Sequence, residues 1–332
     1  MSKLEDIAKK ASVSIATVSN ILNNKDSTIP VSPKTREKVL RITRELNYRP
    51  NIYARSLRTK KSSIIGVVVW DLTDPYFSDI LTGIEDVLEK AGYHLVLNNA
   101  KCQIEREKIC LEKLQKLSPE GMLVIGIGQL RNKDIFSHLA SETNIILIAM
   151  KTPNKNISSV TVDNFKGGFM GAEYLLKREN TQLVYITAKD MTTDEEERLQ
   201  GVINAANKYN QKDRLTIVET DIGEEGGYRA CKKILGRYKS PLSIFAMDDI
   251  TAIGCIRAIK DKKLSIPDDV GVLGFDDLSI ANFIEPRLTT IHQPRLELGR
   301  KGAELLLSTI KNKTIPAQHV ILNPKIVIRK ST

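Results

Sequence analysis

Apolar residues recur along the chain with two different periods. Leu4, Ile7, Ala8 and Ala11 stand at i, i+3, i+4 and i+7, the stripe of an amphipathic helix. Ser2 and Glu5 have capping-box spacing at its start. Ser12-Val13-Ser14 interrupts the stripe, and Ser14 is placed to cap a second helix. On that helix Val18, Ile21 and Leu22 share an inner face. Ala16, Ser19, Asn20 and Asn23 share the outer one, with Ile15 at the exposed N-terminal end. A third helix opens at Ser32-Pro33, where proline's missing N–H costs nothing, and it buries Val39, Ile42 and Leu46. Three short helices with a tight turn between the first two follow the helix-turn-helix plan. Any small three-helix domain with a solvated face has the same pattern.

Beyond the polar joint Thr59-Lys60-Lys61-Ser62-Ser63 the period changes. Short apolar runs at 64–69, 94–97, 122–125 and 145–148 read as buried strands, and a second series follows at 183–186, 215–218, 243–246 and 270–273. Helical segments lie between and after them, at 78–91, 105–117, 166–177, 199–209, 225–236, 251–262 and 295–310. Strand and helix in alternation predict parallel sheets covered on both faces, here two open α/β sheets. Ligands of such sheets sit beyond the carboxyl ends of the strands. Those ends read Asp71-Leu72-Thr73-Asp74-Pro75-Tyr76-Phe77, Gly126-Ile127-Gly128, Ala149-Met150-Lys151, Met247-Asp248-Asp249 and Gly274-Phe275-Asp276-Asp277. They gather the polar and aromatic groups that a small polar ligand needs.

Charge sharpens the picture of the N-terminus. Residues 1–61 carry 14 Lys and Arg against 5 Asp and Glu, whereas the whole 332-residue chain has a net charge of +10. Nearly all the excess therefore sits on the small helical unit, the footprint of a phosphate-binding module. Met1-Ser2-Lys3 leads into a charged helix with no apolar leader, and no apolar run approaches membrane-spanning length, so the expectation is a cytoplasmic protein. The four cysteines, Cys102, Cys110, Cys231 and Cys255, show no metal-ligand spacing with the four histidines and read as free thiols. No metal or cofactor is expected. Gly126-Ile127-Gly128 lacks the third glycine of a dinucleotide fingerprint, Arg131 standing in its place. No nucleophile–base pairing accompanies the acids, so an enzyme is not expected.

The stretch Asp6-Ile7-Ala8, Ala11-Ser12-Val13-Ser14, Thr17-Val18-Ser19, Leu22-Asn23, Thr35-Arg36-Glu37-Lys38-Val39, Leu46-Asn47-Tyr48-Arg49-Pro50-Asn51, Ala54 and Leu57 resembles the LacI/GalR family of bacterial transcription regulators. It holds helix, turn, third helix and hinge in order, and the rest of the chain resembles the family too. The resemblance implies a helix-turn-helix DNA-binding domain over 1–49, a hinge helix and linker over 50–61, and an effector-binding and dimerisation domain over 62–332. That last domain would be a periplasmic-binding-protein-like sensor. Its halves cross near 161, 291 and 321, giving an N-subdomain of about 62–161 and 292–320 and a C-subdomain of about 162–291 and 321–332.

The same resemblance implies roles. Ile15, Ala16 and Asn20 would read bases. Ser14, Thr17, Ser19, Asn23, Ser32 and Thr35 would meet phosphates. Asn51, Ala54, Arg55 and Leu57 would form the hinge, with Leu57 as a minor-groove wedge rather than a core leucine. Asn20 stands where the family most often has arginine, and the loop from 24 to 30 is about three residues longer than usual. In the sensor, Tyr76, Phe77, Arg198, Asp248, Asp276 and Gln293 match effector-cleft positions. From the residues alone Tyr76 and Phe77 are equally core aromatics, Asp248 and Asp276 helix caps, and Arg198 the partner of Asp194 in an i,i+4 pair. Trp70 departs from the small residue or proline common at its position. The expected protein is a homodimeric repressor of a pseudo-palindromic operator, and no heptad follows the last strand to make a tetramer. Its effector would be a small polar ligand, a sugar or sugar derivative, with a protein corepressor as the alternative.

Overall fold

The computed structural model of the chain describes residues 3–22, 31–48, 62–126, 133–152, 154–178, 181–312 and 314–332. They fall into two compact units, 1–62 and 63–332.

The first unit holds α1 (Leu4–Ala11), α2 (Ile15–Leu22) and α3 (Pro33–Glu45). Its core is the predicted one. Ile7, Val18 and Val39 are fully buried, Ala8, Ala11, Ile21 and Ile42 nearly so, and Leu4, Leu22 and Leu46 pack around them. Burying a Val or Ile of this kind stabilises by ~1.5–3 kcal/mol. The cap of α1 differs from expectation. Lys3 occupies the N-cap position, and its backbone N–H donates to the Asp6 carboxylate at 2.7 Å. Asp6, at the third helical position, therefore takes the part assigned to Glu5. The turn to α2 passes through Ser12 at φ 58°, and the Val13 N–H returns to the Ala8 carbonyl to close the helix end.

The second unit holds two six-stranded sheets. The first is ordered β11-β5-β4-β3-β1-β2, with β1 (Ile64–Val69), β2 (His94–Asn99), β3 (Gly121–Ile125), β4 (Asn144–Ile148), β5 (Ser158–Val162) and β11 (His319–Leu322). The second is ordered β12-β10-β9-β8-β6-β7, with β6 (Gln182–Ala188), β7 (Leu215–Thr220), β8 (Leu242–Ala246), β9 (Val270–Asp276), β10 (Thr289–His292) and β12 (Lys325–Val327). All pairings are parallel except β10 with β12. Val67 packs into one core and Val68 into another, so β1 is buried on both faces and reads as a continuous apolar run. The chain passes from one sheet to the other after β5, after β10 and after β11.

Two helix contacts position the cleft between the sheets. In the first half α4 (Pro75–Lys90) lies against α11 (Arg295–Lys311). A Cβ on Gly83 would meet the Leu296 carbonyl oxygen at 2.2 Å, and one on Gly299 would meet that of Ile80 at 2.0 Å. In the second half α7 (Asn164–Leu176) lies equally close to α8 (Thr193–Lys208): a Cβ on Gly168 would meet the Arg198 carbonyl oxygen at 2.0 Å. Only glycine permits such backbone approach. The remaining helices are α5 (Ile104–Gln115), α6 (Lys133–Glu142), α9 (Glu224–Arg237) and α10 (Asp249–Asp261). Among the described residues no helix is long and apolar enough to cross a membrane.

Candidate functional site

In the first unit, α2 presents Ile15 and Ala16 as exposed residues and Asn20 as a half-buried one, while Val18 and Ile21 face the core. Its start is capped by Ser14, whose hydroxyl accepts the Thr17 N–H at 3.0 Å and lies 2.8 Å from the Thr17 hydroxyl. The start of α3 repeats the arrangement: the Ser32 hydroxyl accepts the Thr35 N–H at 3.1 Å and lies 2.8 Å from the Thr35 hydroxyl. Each helix N-terminus thus carries a paired Ser/Thr hydroxyl beside its free N–H groups, a donor set suited to a phosphate oxygen. Ser19 is half-buried on α2. Asn23, Asn51, Ala54, Arg55 and Leu57 lie outside the described residues, as does the loop from 24 to 30.

In the second unit the sensor residues converge between the sheets. Tyr76 stands in the first turn of α4, which Asp74 caps by accepting the Tyr76 N–H at 2.8 Å. The Tyr76 hydroxyl donates to the Gln293 side-chain oxygen at 3.1 Å, and the Gln293 amide nitrogen donates to the Asp276 carboxylate at 2.6 Å. Tyr76 belongs to the first half and Asp276 ends β9 in the second, so Gln293 spans them. It is 1 % exposed and uses both ends of its amide. That makes it a bridge between the two halves.

Arg198 lies on α8 with its guanidinium carbon 3.9 Å from the centre of the Phe275 ring. Its Nε donates to Asn164 Oδ1 at 2.8 Å and its Nη1 to the Met247 carbonyl at 2.8 Å. These partners, not an ion pair with Asp194, hold the side chain, and they aim it along the ends of β8 and β9. Phe77 does not join the cleft surface. It is 3 % exposed, packs in the core, and meets Tyr76 edge to face at 5.2 Å. In this position it supports the Tyr76 ring. Asp248 caps α10, accepting the Thr251 N–H at 2.6 Å. Its neighbour Asp249 is fully buried and accepts from the Leu278 N–H at 2.7 Å and the Thr290 hydroxyl at 2.5 Å.

The cleft is electrostatically poised. Burial pushes the Asp276 carboxyl well above the ordinary range; Arg198 opposes this, and Asp249, Asp248 and Asp74 reinforce it. Burial likewise raises Asp248 and Asp74, which also repel each other across the halves. Burial works against the charge on Arg198, but Asp276, Tyr185 and Glu195 leave it above its usual value. One fixed cation among desolvated carboxyls is an arrangement for hydroxyl groups, which accept from the first and donate to the second. Three participants had no role assigned from the sequence, although Phe275 and Lys151 stand in the strand ends read there. Phe275 stacks on Arg198. Lys151, after β4, pairs with Glu197 on α8 across the two halves. Arg295 joins Asp79 at 2.8 Å. The expected helix at 78–91 begins three residues earlier, at Pro75, and Asp74-Pro75, a cap followed by proline, is the signal that would have placed its start. Among the described residues no group of His, Cys, Asp and Glu is arranged to hold a metal ion.

A helix-turn-helix unit joined to a two-sheet sensor defines the class: a DNA-binding regulator with a periplasmic-binding-protein-like domain. Comparison with known proteins agrees. Residues 3–51 match the model for bacterial regulatory proteins of the lacI family, and residues 172–332 match that for the periplasmic binding protein-like domain. The repressor PurR of Pasteurella multocida is 33% identical over 334 residues, covering 100% of this chain and 98% of its own. The regulator RegA of Clostridium saccharobutylicum is 31% identical over 333 residues, covering 99% and 98%. Among solved structures, the lac repressor dimer bound to operator and the anti-inducer ONPF superposes with a TM-score of 0.89 at 25% identity, covering 100% of this chain and 99% of that one. A ribose-bound regulator from Enterococcus faecium gives 0.74 at 28% identity, covering 81% and 98%. The chain belongs to the LacI family of bacterial regulatory proteins, and it is a DNA-binding transcriptional regulator.

Proposed function

We propose that the protein is a repressor that binds a pseudo-palindromic operator as a homodimer and is controlled by a sugar or sugar derivative held in the sensor cleft. The observation that carries the effector reading is the Tyr76–Gln293–Asp276 chain facing the Arg198 guanidinium stacked on Phe275. Aromatic faces, one fork of donors and buried carboxyls are the groups that bind polyhydroxylated rings. Relatives support the class. One solved structure is described as a CelR–cellobiose complex, with a TM-score of 0.73 at 25% identity, and another holds ribose.

Dimerisation is supported by the likeness to a lac repressor structure that is a dimer bound to operator. In the dimer, Ile15, Ala16 and Asn20 read base edges in the major groove. Asparagine pairs more naturally with adenine than with guanine, so the operator should carry adenine where arginine-bearing relatives read guanine. Ser14, Thr17, Ser19, Asn23, Ser32 and Thr35 hold phosphates. Asn51, Ala54, Arg55 and Leu57 serve as the hinge contacts, with Leu57 the wedge into the minor groove. Closing the cleft moves one half of the sensor against the other and alters the spacing of the two hinges.

The test is a fluorescence titration of Trp70, the single tryptophan, with a panel of monosaccharides and disaccharides, followed by operator binding with each sugar that responds. A sugar that both perturbs Trp70 and shifts operator affinity supports the reading. Operator binding that responds only to a protein partner overturns the effector part of it.

A further inference from the structure

Arg295 opens α11 immediately after the second crossing and is 7% exposed. Its guanidinium faces two ways. Toward the first half, Nε and Nη2 donate to Asp79 Oδ2 at 3.1 and 2.8 Å, one turn along α4 from Tyr76. Toward the second half, Nη1 donates to the Asp276 carbonyl and Nη2 to the Asp277 carbonyl at 3.1 Å. Those two acceptors are unusual. Asp276 has φ 112° and Asp277 φ 58°, consecutive residues in a region of backbone space that side-chain-bearing residues rarely adopt. Such a turn persists only where its surroundings over-determine it. Its neighbours do so: Arg329 and His292 hold the Asp277 carboxylate at 2.6 and 3.0 Å, and Arg295 holds both carbonyls.

We propose that Arg295 is the positioning residue of the switch. Its fork fixes the turn that aims the Asp276 carboxylate into the cleft, and it couples that turn to α4. Two routes then join α4 to the end of β9. One runs through side chains, Tyr76 to Gln293 to Asp276. The other runs through Arg295 to the main chain. Movement of one half against the other must stretch one side of the guanidinium, so the halves exchange between discrete arrangements instead of flexing freely. A lysine has the charge but not the fork and cannot serve four acceptor contacts in fixed geometry. This rests on the reading of the cleft as a ligand-controlled hinge, but its test uses neither ligand nor DNA.

In full-length protein carrying Cys102→Ser, spin labels are placed at exposed positions on the two halves, Glu112→Cys and Lys233→Cys. Labelled chain is diluted with unlabelled chain so that only distances within one protomer are read. The parent should give one narrow distance distribution. Arg295→Lys should give a broadened distribution or a second population, and Asp79→Ala, which removes only the first-half acceptor, should do the same. The double variant should add nothing further. A residue that merely stabilises the fold would lower the melting temperature and leave the distribution narrow. Should Arg295→Lys fail to fold, Asp79→Ala decides. A distribution in folded variants indistinguishable from the parent's overturns the proposal. Operator binding measured on the same samples separates that outcome from a failure of the regulator reading itself.

Discussion

The amide of Gln293 joins Tyr76 and Asp276 across the sensor: its nitrogen donates at 2.6 Å and its oxygen accepts at 3.1 Å. One buried side chain thereby ties the first turn of α4 to the end of β9. Gln293→Leu keeps the volume and removes both bonds, leaving two buried polar groups unpaired. The sensor should lose ~1–3 kcal/mol of stability, seen as a lower melting temperature. An unchanged melting temperature would mean the bridge does not form in solution.

Arg198 gives a sharper test of function. Its guanidinium is held by Asn164, the Met247 carbonyl and the Phe275 ring. Arg198→Ala should leave operator affinity near that of the parent and abolish the effector response. Loss of charge-assisted bonds worth ~1.5–3 kcal/mol corresponds to a roughly tenfold to hundredfold weaker effector. Isothermal titration of a responding sugar checks this. A fully responsive variant would place the cleft elsewhere.

The close approach of α7 and α8 predicts a remote effect on the same site. A Cβ at Gly201 would meet the Phe165 carbonyl oxygen at 2.1 Å, so Gly201→Ala must push the two helices apart. Overpacking of this kind costs ~1–3 kcal/mol. Since Arg198 lies one turn before Gly201, effector affinity should fall along with thermal stability. A stable variant with unaltered effector binding would contradict the contact.

Asp194 and Asp249 both sit at about 7, burial being the main cause in each. Each holds more protons folded than unfolded between the ordinary carboxylate range of ~4 and that value. Their contribution to stability is complete below ~4 and is lost as pH rises through about 7. Asp277 acts in the opposite sense. Burial raises it, but His292 and Arg329 outweigh this, so its contribution is lost only as pH falls below the ordinary range. Melting temperatures should therefore decline between pH ~5 and ~7.5. Asp249→Asn, which can still accept from Leu278 and donate to Thr290, should flatten that decline. An equal slope in the variant would remove Asp249 from the explanation.

What could be read in advance divides along physical lines. The apolar runs of β1, β3 and β4 are buried on both faces, and hydrophobicity alone marks them. β5 escaped because Ser158, Ser159 and Thr161 interrupt its run, although all are buried; the Ser158 and Ser159 hydroxyls find partners in Gln318 and His319, where the neighbouring strand β11 begins. β11 alternates exposed and half-buried residues at a sheet edge, and β12 has three residues, too few to show a period. In the cleft, Tyr76 and Arg198 were named through family resemblance. The Lys151–Glu197 pair and the Arg295 bracket join residues far apart in sequence, and no local spacing encodes such pairs.

The central claim is that cleft and reader are coupled, and coupling must be reciprocal: the factor by which effector changes operator affinity equals the factor by which operator changes effector affinity. The direct measurement is a thermodynamic square on the full-length protein at fixed salt. Operator affinity is taken with and without a saturating sugar, and sugar affinity with and without operator. The account predicts equal factors on both sides of roughly 5- to 150-fold, the range of ordinary allosteric coupling, and their disappearance in Arg198→Ala. A sugar that binds the cleft yet leaves operator affinity unchanged would contradict it.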